Sequence, residues 1–452
     1  MRVSKKVVLL QPLIALASWS GSSAWLECLP VTQEVASSSL VRTAKSASHR
    51  RPALFCFMKK RNGPCQLIML CLSGVMLLWL LVYVSLIQHE WQLHERERLA
   101  EEAWLADSVV TLLFAGDVMG HEPQWKAAYD PLTGEYDYHD CFRFVQPIVE
   151  QADLACANLE VTLAGPPYTS YPCFSSPDAL LFALKDAGFD VLFTANNHVL
   201  DHGSQGLERT ICMLDSVDIA HAGSYVDSLS RAAEYPLLVE VKGLRIAFLN
   251  MTYGTNGIRV PKPNMVNKLN RQEVASDLER LDSLEAKLMV AFVHWGNEYQ
   301  LEANKYQRSF AEFLVDQGID LIIGGHPHVS QDADTLFNRE GKPVVSYYSL
   351  GNFISNQRRH NTNGGIMVQV SVNRFTGRVI ETGYIPYYVF KGLIDGKYQY
   401  YVIPTIPYIN NRCNFRLPAY DSMALVRVHN AMVDRLSDFI PIFADSFEIE
   451  EK

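Results

Sequence analysis

No C-x-x-C pair occurs in this chain, although it has nine cysteines, and only Cys141, Cys156, Cys173, Cys212 and Cys413 lie beyond its one long apolar run. An odd number cannot all pair internally, so neither a disulfide framework nor a thiolate metal site is indicated. Positive charge is also short: 40 Lys and Arg stand against 49 Asp and Glu, a formal net charge of -9, and the basic residues are scattered. Binding a phosphate backbone needs a basic face, which sets nucleic acid aside as a partner. No segment recurs at a fixed period, so solenoid and propeller architectures fall away. What is present is apolar content: 48 % of 452 residues, enough to bury a substantial core in one large α/β domain or two ordinary ones.

The long apolar run is Leu67 to Ile87, 21 residues without a charge, about the ~20 needed to cross a bilayer core as a helix. Lys59, Lys60 and Arg61 precede it, whereas Glu90, Glu95 and Glu97 mix with Arg96 and Arg98 after it, which orients the N-terminal side toward the cytoplasm. We read 67–87 as a single-pass anchor in the cell membrane, 88–107 as a helical stalk and the large remainder as extracytoplasmic. Residues 1–66 are an N-terminal segment on the cytoplasmic side. Met1 to Ala24 carries a weak signal-like pattern followed by a Ser-rich stretch, and Met58 with its basic triplet and apolar run is the more natural beginning of an anchored protein.

From Val109 onward, short β-branched or apolar runs end in polar, often Gly-containing motifs and are followed by amphipathic stretches, the α/β signature. The strands expected are Val109 to Ala115, Leu154 to Ala157, Val191 to Thr194, Leu244 to Leu249, Leu288 to Val293, Leu321 to Ile323 and Val344 to Tyr348. Apolar residues at three-to-four spacing predict helices over Pro177 to Ala187, Gln205 to Ser216, Arg271 to Leu284 and Tyr306 to Gln317. The main domain is taken as 108–390. Residues 391–452, Tyr-, Pro- and Asn-rich and then closing with a helix near Ser422 to Phe439 and an acidic tail, are taken as a C-terminal extension.

Five of these strands run into residues able to bind metal or phosphate: Gly116-Asp117, Asn158-Leu159-Glu160, Ala195-Asn196-Asn197-His198, His294-Trp295-Gly296 and Gly324-Gly325-His326-Pro327-His328. Ligands of open α/β sheets collect outside the carboxyl ends of the strands, so these side chains can converge. Taken singly, each has an ordinary structural alternative. Gly-Asp is a common turn, His294 beside Trp295 fits a core histidine, Asn196-Asn197 a turn pair and Glu160 a surface charge. Five in chain order, each after a hydrophobic strand, is the signal. Oxygen and imidazole donors in this mixture suit Zn, Mn or Fe, and two such ions side by side support in-line displacement at phosphorus.

Together with Val118-Met119, Asp201, Gly203, Glu298 and Tyr348-Ser349-Leu350-Gly351-Asn352-Phe353, these motifs resemble the CapA family, the poly-γ-glutamate capsule biosynthesis proteins, over roughly Val109 to Tyr388. That family looks like a branch of the calcineurin-like metallophosphatases. The resemblance implies a four-layer αββα sandwich with two divalent metal ions at the strand ends. It makes Asp117, Glu160, Asn197, His294, His326 and His328 metal ligands, with Glu160 where the superfamily usually has a bridging aspartate, and it makes His198 the catalytic residue facing the leaving group. One departure stands out. The superfamily's first motif is Asp-x-His, but the third position here is Met119, and His121 lies four residues after Asp117, so one metal site is expected to be one ligand short.

Two functions fit: a metal-dependent phosphoesterase acting on a phosphoester or anionic polymer outside the membrane, or a non-catalytic component of a polyglutamate synthesis or export complex. If Leu67 to Ile87 anchors the chain as its flanks imply, protease added to intact cells or protoplasts digests the large domain. Protection that persists until lysis would reverse the orientation.

Overall fold

The structure, a computed structural model, describes residues 64–279, 285–413 and 415–441. The signal-like segment, Met58, the Lys59 to Arg61 flank, the last turn expected of the Arg271 helix and the acidic tail all lie outside them. A continuous helix, Pro64–Asp107, covers both the apolar run and the stretch read as a stalk. Leu, Ala, Glu and Arg, all good helix formers, fill its second half, so nothing in the sequence breaks it. Its side chains from Leu67 to Ile87 are exposed, and it is long and apolar enough to cross a bilayer.

The globular part is built on two sheets. In the first, Val109–Val118 lies between the parallel Leu154–Leu159 and the antiparallel Gly364–Asn373. Val191–Phe193 and Ala220–Ala222 extend it in parallel on one side, and Val379–Ile394 and Lys397–Pro404 in antiparallel on the other. The second sheet runs Ala333–Phe337, Pro343–Tyr347, Leu321–Gly325, Leu288–His294, Leu244–Thr252 and Leu237–Val241, with its four central strands parallel. Every strand expected from the sequence is present within a few residues of its expected ends. The helices are there too, as Ala179–Asp186, Gly203–Ser216, Arg271–Glu279, Lys305–Asp316 and Ala419–Arg435.

Period-two alternation explains why the sheets stack. Along the central strand Val110, Leu112 and Phe114 point to one side and Leu113 and Ala115 to the other, all fully buried. The first set meets Ile246, Phe248, Val290, Phe292 and Ile323 of the second sheet in one continuous inter-sheet core. Phe193 bridges the two, its ring 4.6 Å from Phe292 and 5.7 Å from Phe248. The outer face of the first sheet packs on Leu180, Leu181, Leu184 and Leu214 of its helices. The outer face of the second packs on Val274, Phe310, Leu314 and Val315. The result is the four-layer αββα sandwich the motifs imply.

The sheet does not stop at residue 390. Val379–Ile394 and Lys397–Pro404 form its edge, and the helix Ala419–Arg435 lays Leu425, Val428 and Met432 into the inter-sheet core. Because Phe292 is buried on all sides and stacked on Phe193, Phe292→Ala should cost about 3–5 kcal/mol through lost contacts and the cavity left behind. Chemical denaturation read by near-UV circular dichroism measures this, and a cost within ~0.5 kcal/mol would mean that the sheets are not clamped there.

Candidate metal centre

The parallel strands of both sheets end at the same edge of the sandwich, and each chemistry-bearing motif sits at or just beyond such an end. Asp117 closes the central strand, where Gly116 is required because a Cβ there would lie 1.9 Å from the Gly351 carbonyl oxygen. The neighbouring strand runs in register, with Asp117 beside Asn158, and delivers Glu160 immediately after it. Asn197 and His198 follow Val191–Phe193. His294 ends its strand in the second sheet, in register with Gly325, so the turn carrying His326 and His328 starts beside it.

That turn is held against Asp117. His326 and His328 both adopt positive φ, +95° and +58°, a region costly for residues with a Cβ and found where surrounding structure enforces it. Gly325 permits the approach, since a Cβ there would stand 2.5 Å from Asp117 Oδ1. The His326 backbone N–H then donates to Asp117 Oδ2 at 3.0 Å, and the Asn158 amide donates to Asp117 Oδ1 at 2.7 Å.

Two donor groups result. Glu160, His294 and His326 bring ligand atoms within 4.8 Å of one another, as do Asp117, Glu160 and His328. Glu160 belongs to both. Asn197 joins the first group, its Oδ1 2.7 Å from His294 Nε2. All six residues named as ligands from the sequence are therefore brought together, buried and drawn from five strand ends.

The donor atoms fit metal ions. Both Glu160 carboxyl oxygens and the Nδ1 atoms of His326 and His328 are buried without a hydrogen-bond partner among the described residues. Such groups are expensive unless a cation takes them. Burial and the neighbouring Asp117 carboxylate push the Glu160 carboxyl well above the usual carboxylate range. Burial and the adjacent imidazoles hold His294 well below the ordinary histidine range and bring His326 down to about 3. Neutral imidazole is the form that ligates, and a nearby cation favours the ionised carboxylate, so metal would relieve the strain these groups place on each other.

His198 is set apart from both groups. Its Nδ1 lies 2.7 Å from Asp201 Oδ2, which also accepts the Phe174 N–H at 2.7 Å, and its ring meets Phe174 edge-on at 4.7 Å. It lines a cavity of about 510 Å³ above the donor groups, together with Met119, His121, Glu298, Tyr299, His328, Arg358 and Arg359. His121 is outside both donor groups, with Nδ1 3.1 Å from Gln124 Oε1 and its pKa lowered to about 4 mainly by burial. Met119 is buried against the outer face of the first sheet. Sequence reasoning gave no role to Asn158 or Asp201, though both stand inside quoted motifs. It passed over Arg358 and Arg359, where two consecutive arginines in an acidic chain were the available signal.

A family model described as "Bacterial capsule synthesis protein PGA_cap" matches residues 111–357. The chain is 27 % identical over 301 residues to a capsule biosynthesis protein CapA of Bacillus anthracis, covering 64 % of this chain and 70 % of that protein. It is 29 % identical over 286 residues to a PGA biosynthesis protein CapA of Bacillus subtilis, covering 60 % and 70 %. Among solved structures, a calcineurin-like phosphoesterase of Bacillus subtilis aligns over 72 % of this chain and 98 % of its own at 13 % identity and a TM-score of 0.35.

If His326 and His328 hold metal, replacing both with Ala should lower bound transition metal and thermal stability together. Elemental analysis beside a melting curve decides it. Unchanged metal content would place the ligands elsewhere.

Proposed function

We propose, because the chain belongs to the bacterial capsule synthesis protein family PGA_cap, that it is a membrane-anchored, extracytoplasmic component of poly-γ-glutamate capsule polymer synthesis or export whose domain works as a metal-dependent phosphoesterase. The observation that carries the enzymatic part is the pair of donor groups sharing Glu160, with His198 beside them on the cavity wall. Asp117, Glu160 and His328 would hold one divalent ion of the Mn, Fe or Zn class, and Glu160, His294, His326 and Asn197 the other. When bound, two such ions supply Lewis acidity and neutralise charge on a transferring phosphoryl group.

The chain's own residues do the rest. Asp201 occupies His198 Nδ1, which fixes the ring and leaves Nε2 as the nitrogen free to serve substrate. A protonated His198 donates from Nε2 to the departing oxygen, while the Asp201 carboxylate steadies the imidazolium beforehand, the division of labour of a histidine oriented by a carboxylate. Phe174 against the ring limits the orientations it can take. The membrane helix keeps this chemistry at the surface where an exported polymer emerges.

The second reading is a non-catalytic member of a synthesis or export complex, in which the metal groups serve structure or polymer binding. Met119 in the place of the Asp-x-His histidine favours it, because an ion held by fewer protein ligands is held less firmly.

His198→Ala separates the two. In a hydrolase it should leave metal content nearly intact and lower the rate by about 10²- to 10⁴-fold, the usual contribution of a positioned acid. The defect should be smallest for esters with good leaving groups and largest for alkyl esters. Rates on two leaving groups, measured beside polymer output in the same strain, give the answer. Full polymer output from the mutant, with no hydrolysis by the unaltered protein, would leave only the second reading.

A further inference from the structure

A second cavity of about 480 Å³ adjoins the one above the metal centre, and Arg358 and Arg359 line both. Its other walls carry Lys391 and Arg427, with Asp421 the one carboxylate among its lining residues. In a chain of net charge -9 this is a local concentration of positive charge. None of the four cations forms an ion pair among the described residues; what they touch is neutral. Arg359 lies over the Tyr299 ring at 4.4 Å and Arg427 near the Tyr420 ring at 6.0 Å. Arg358 Nη1 reaches the Gln357 carbonyl at 3.1 Å, and Lys391 Nζ donates to Asn356 Oδ1 at 2.8 Å.

The one carboxylate, Asp421, accepts the Tyr388 hydroxyl at 2.8 Å through Oδ1 and offsets only part of the Arg358 charge. Arg358 stands open to water yet is walled by protein on most sides, so burial lowers its pKa, and burial together with the Arg358 charge lowers that of Lys391. Four cations outnumber the single Asp421 carboxylate in this cleft, so an arriving anion is favoured there. The loop carrying the arginines is also built, not loose. Asn352, beside Asp117 in the sheet, has its amide within 3.3 Å of the His328 carbonyl and 3.1 Å of the Thr362 carbonyl, tying the histidine turn to the far end of that loop. Thr362 in turn donates to the Arg359 carbonyl at 2.9 Å.

The geometry points to an anion-binding subsite in this cleft, which holds neighbouring carboxylate units of a linear polycarboxylate while another part of the same chain lies over the metal centre. Two cavities sharing an arginine wall suit an extended ligand, since each is many times the roughly 30 Å³ a water occupies and far exceeds one carboxylate. Arg358 and Arg359 face both halves, and Lys391 and Arg427 read only the distal units. This rests on the reading of the adjoining donor groups as the working site, and it adds what determines ligand length.

The test is equilibrium binding to the metal-loaded full chain in uncharged detergent, with long γ-linked oligoglutamate, γ-glutamylglutamate and inorganic tripolyphosphate as probes. Lys391→Gln and Arg427→Gln should each weaken the long oligomer by roughly 10-fold, the loss of one charge-assisted contact, and leave the dipeptide unchanged. Arg427→Lys should restore most of the affinity, and each Gln variant should flatten the salt dependence. Equal weakening of oligomer and dipeptide, or none of the oligomer in either variant, would overturn the subsite. Tripolyphosphate binding more tightly than the oligomer, with the same loss in the variants, would overturn the polycarboxylate assignment. Because the readout is binding, a chain without hydrolytic activity still passes or fails, so the cleft and the enzyme reading fail separately.

Discussion

A buried carboxyl group whose oxygens find no hydrogen-bond partner among the described residues is the constraint around which the strand-end site of this protein is arranged. Glu160 is fully inside, next to Asp117, its Oε1 3.5 Å from His294 Nε2 and 3.9 Å from His328 Nε2, with a His326 ring nitrogen within 4.8 Å. A lone carboxylate in such surroundings costs several kcal/mol, and protonating it leaves its oxygens and the imidazole nitrogens still unsatisfied. The backbone adds to the cost: two histidines at positive φ are retained in one three-residue turn, at about 1–3 kcal/mol each. A bound metal ion would compensate both costs, and nitrogen and oxygen donors in this mixture suit transition metals better than Mg or Ca.

The inter-sheet core makes that arrangement possible. Asp117, Glu160 and Asn197 come from the first sheet, and His294, His326 and His328 from the second. Neither sheet holds a complete donor group alone, so the distance across the site is set by side chains such as Phe114, Phe193, Phe248 and Phe292 that stack the sheets. Aromatic packing several residues away thereby sets how far apart the donor atoms of the two sheets stand. Register matters as well: a one-residue slip of either central strand would turn its terminal ligand to the helical side.

Most of this was legible in sequence because the central strands are buried on both faces and read as uninterrupted apolar runs, each closed by a polar motif. The edge of the first sheet was not. Val379–Ile394 contains Glu381, Thr382, Gly383 and Pro386 and is rich in tyrosine, so it lacks a clean alternation. Pro386 sits in the strand interior opposite Ile366, a position where proline argues against a strand. Lys397–Pro404 is hidden the same way, and residues after 390 therefore read as irregular although they complete the sheet. At the site, strand-end position marked the residues that converge, whereas Arg358 and Arg359 carried only the faint signal of two adjacent cations and close no strand. Their place beside the metal centre follows from the Asn352 amide, which joins segments that lie apart in sequence.

Met119 bears on how the site divides its work. The residue is not a histidine-shaped gap: it is packed in the helical-side core, its N–H donates to the Ile354 carbonyl at 2.9 Å and its carbonyl accepts the Gln124 amide at 2.9 Å. The same Gln124 accepts from the His121 backbone and faces the His121 ring, which holds that imidazole on the cavity wall, away from Asp117. Position 119 is thus tied into the sheet by its backbone, with its side chain and the His121 imidazole both on the cavity wall. An ion held by Asp117, Glu160 and His328 would have three protein donors, one fewer than fill a tetrahedral shell. With Asn197 added, the other group offers four donors. Asymmetry of this kind would make an ion in the four-donor group the more firmly held of the two.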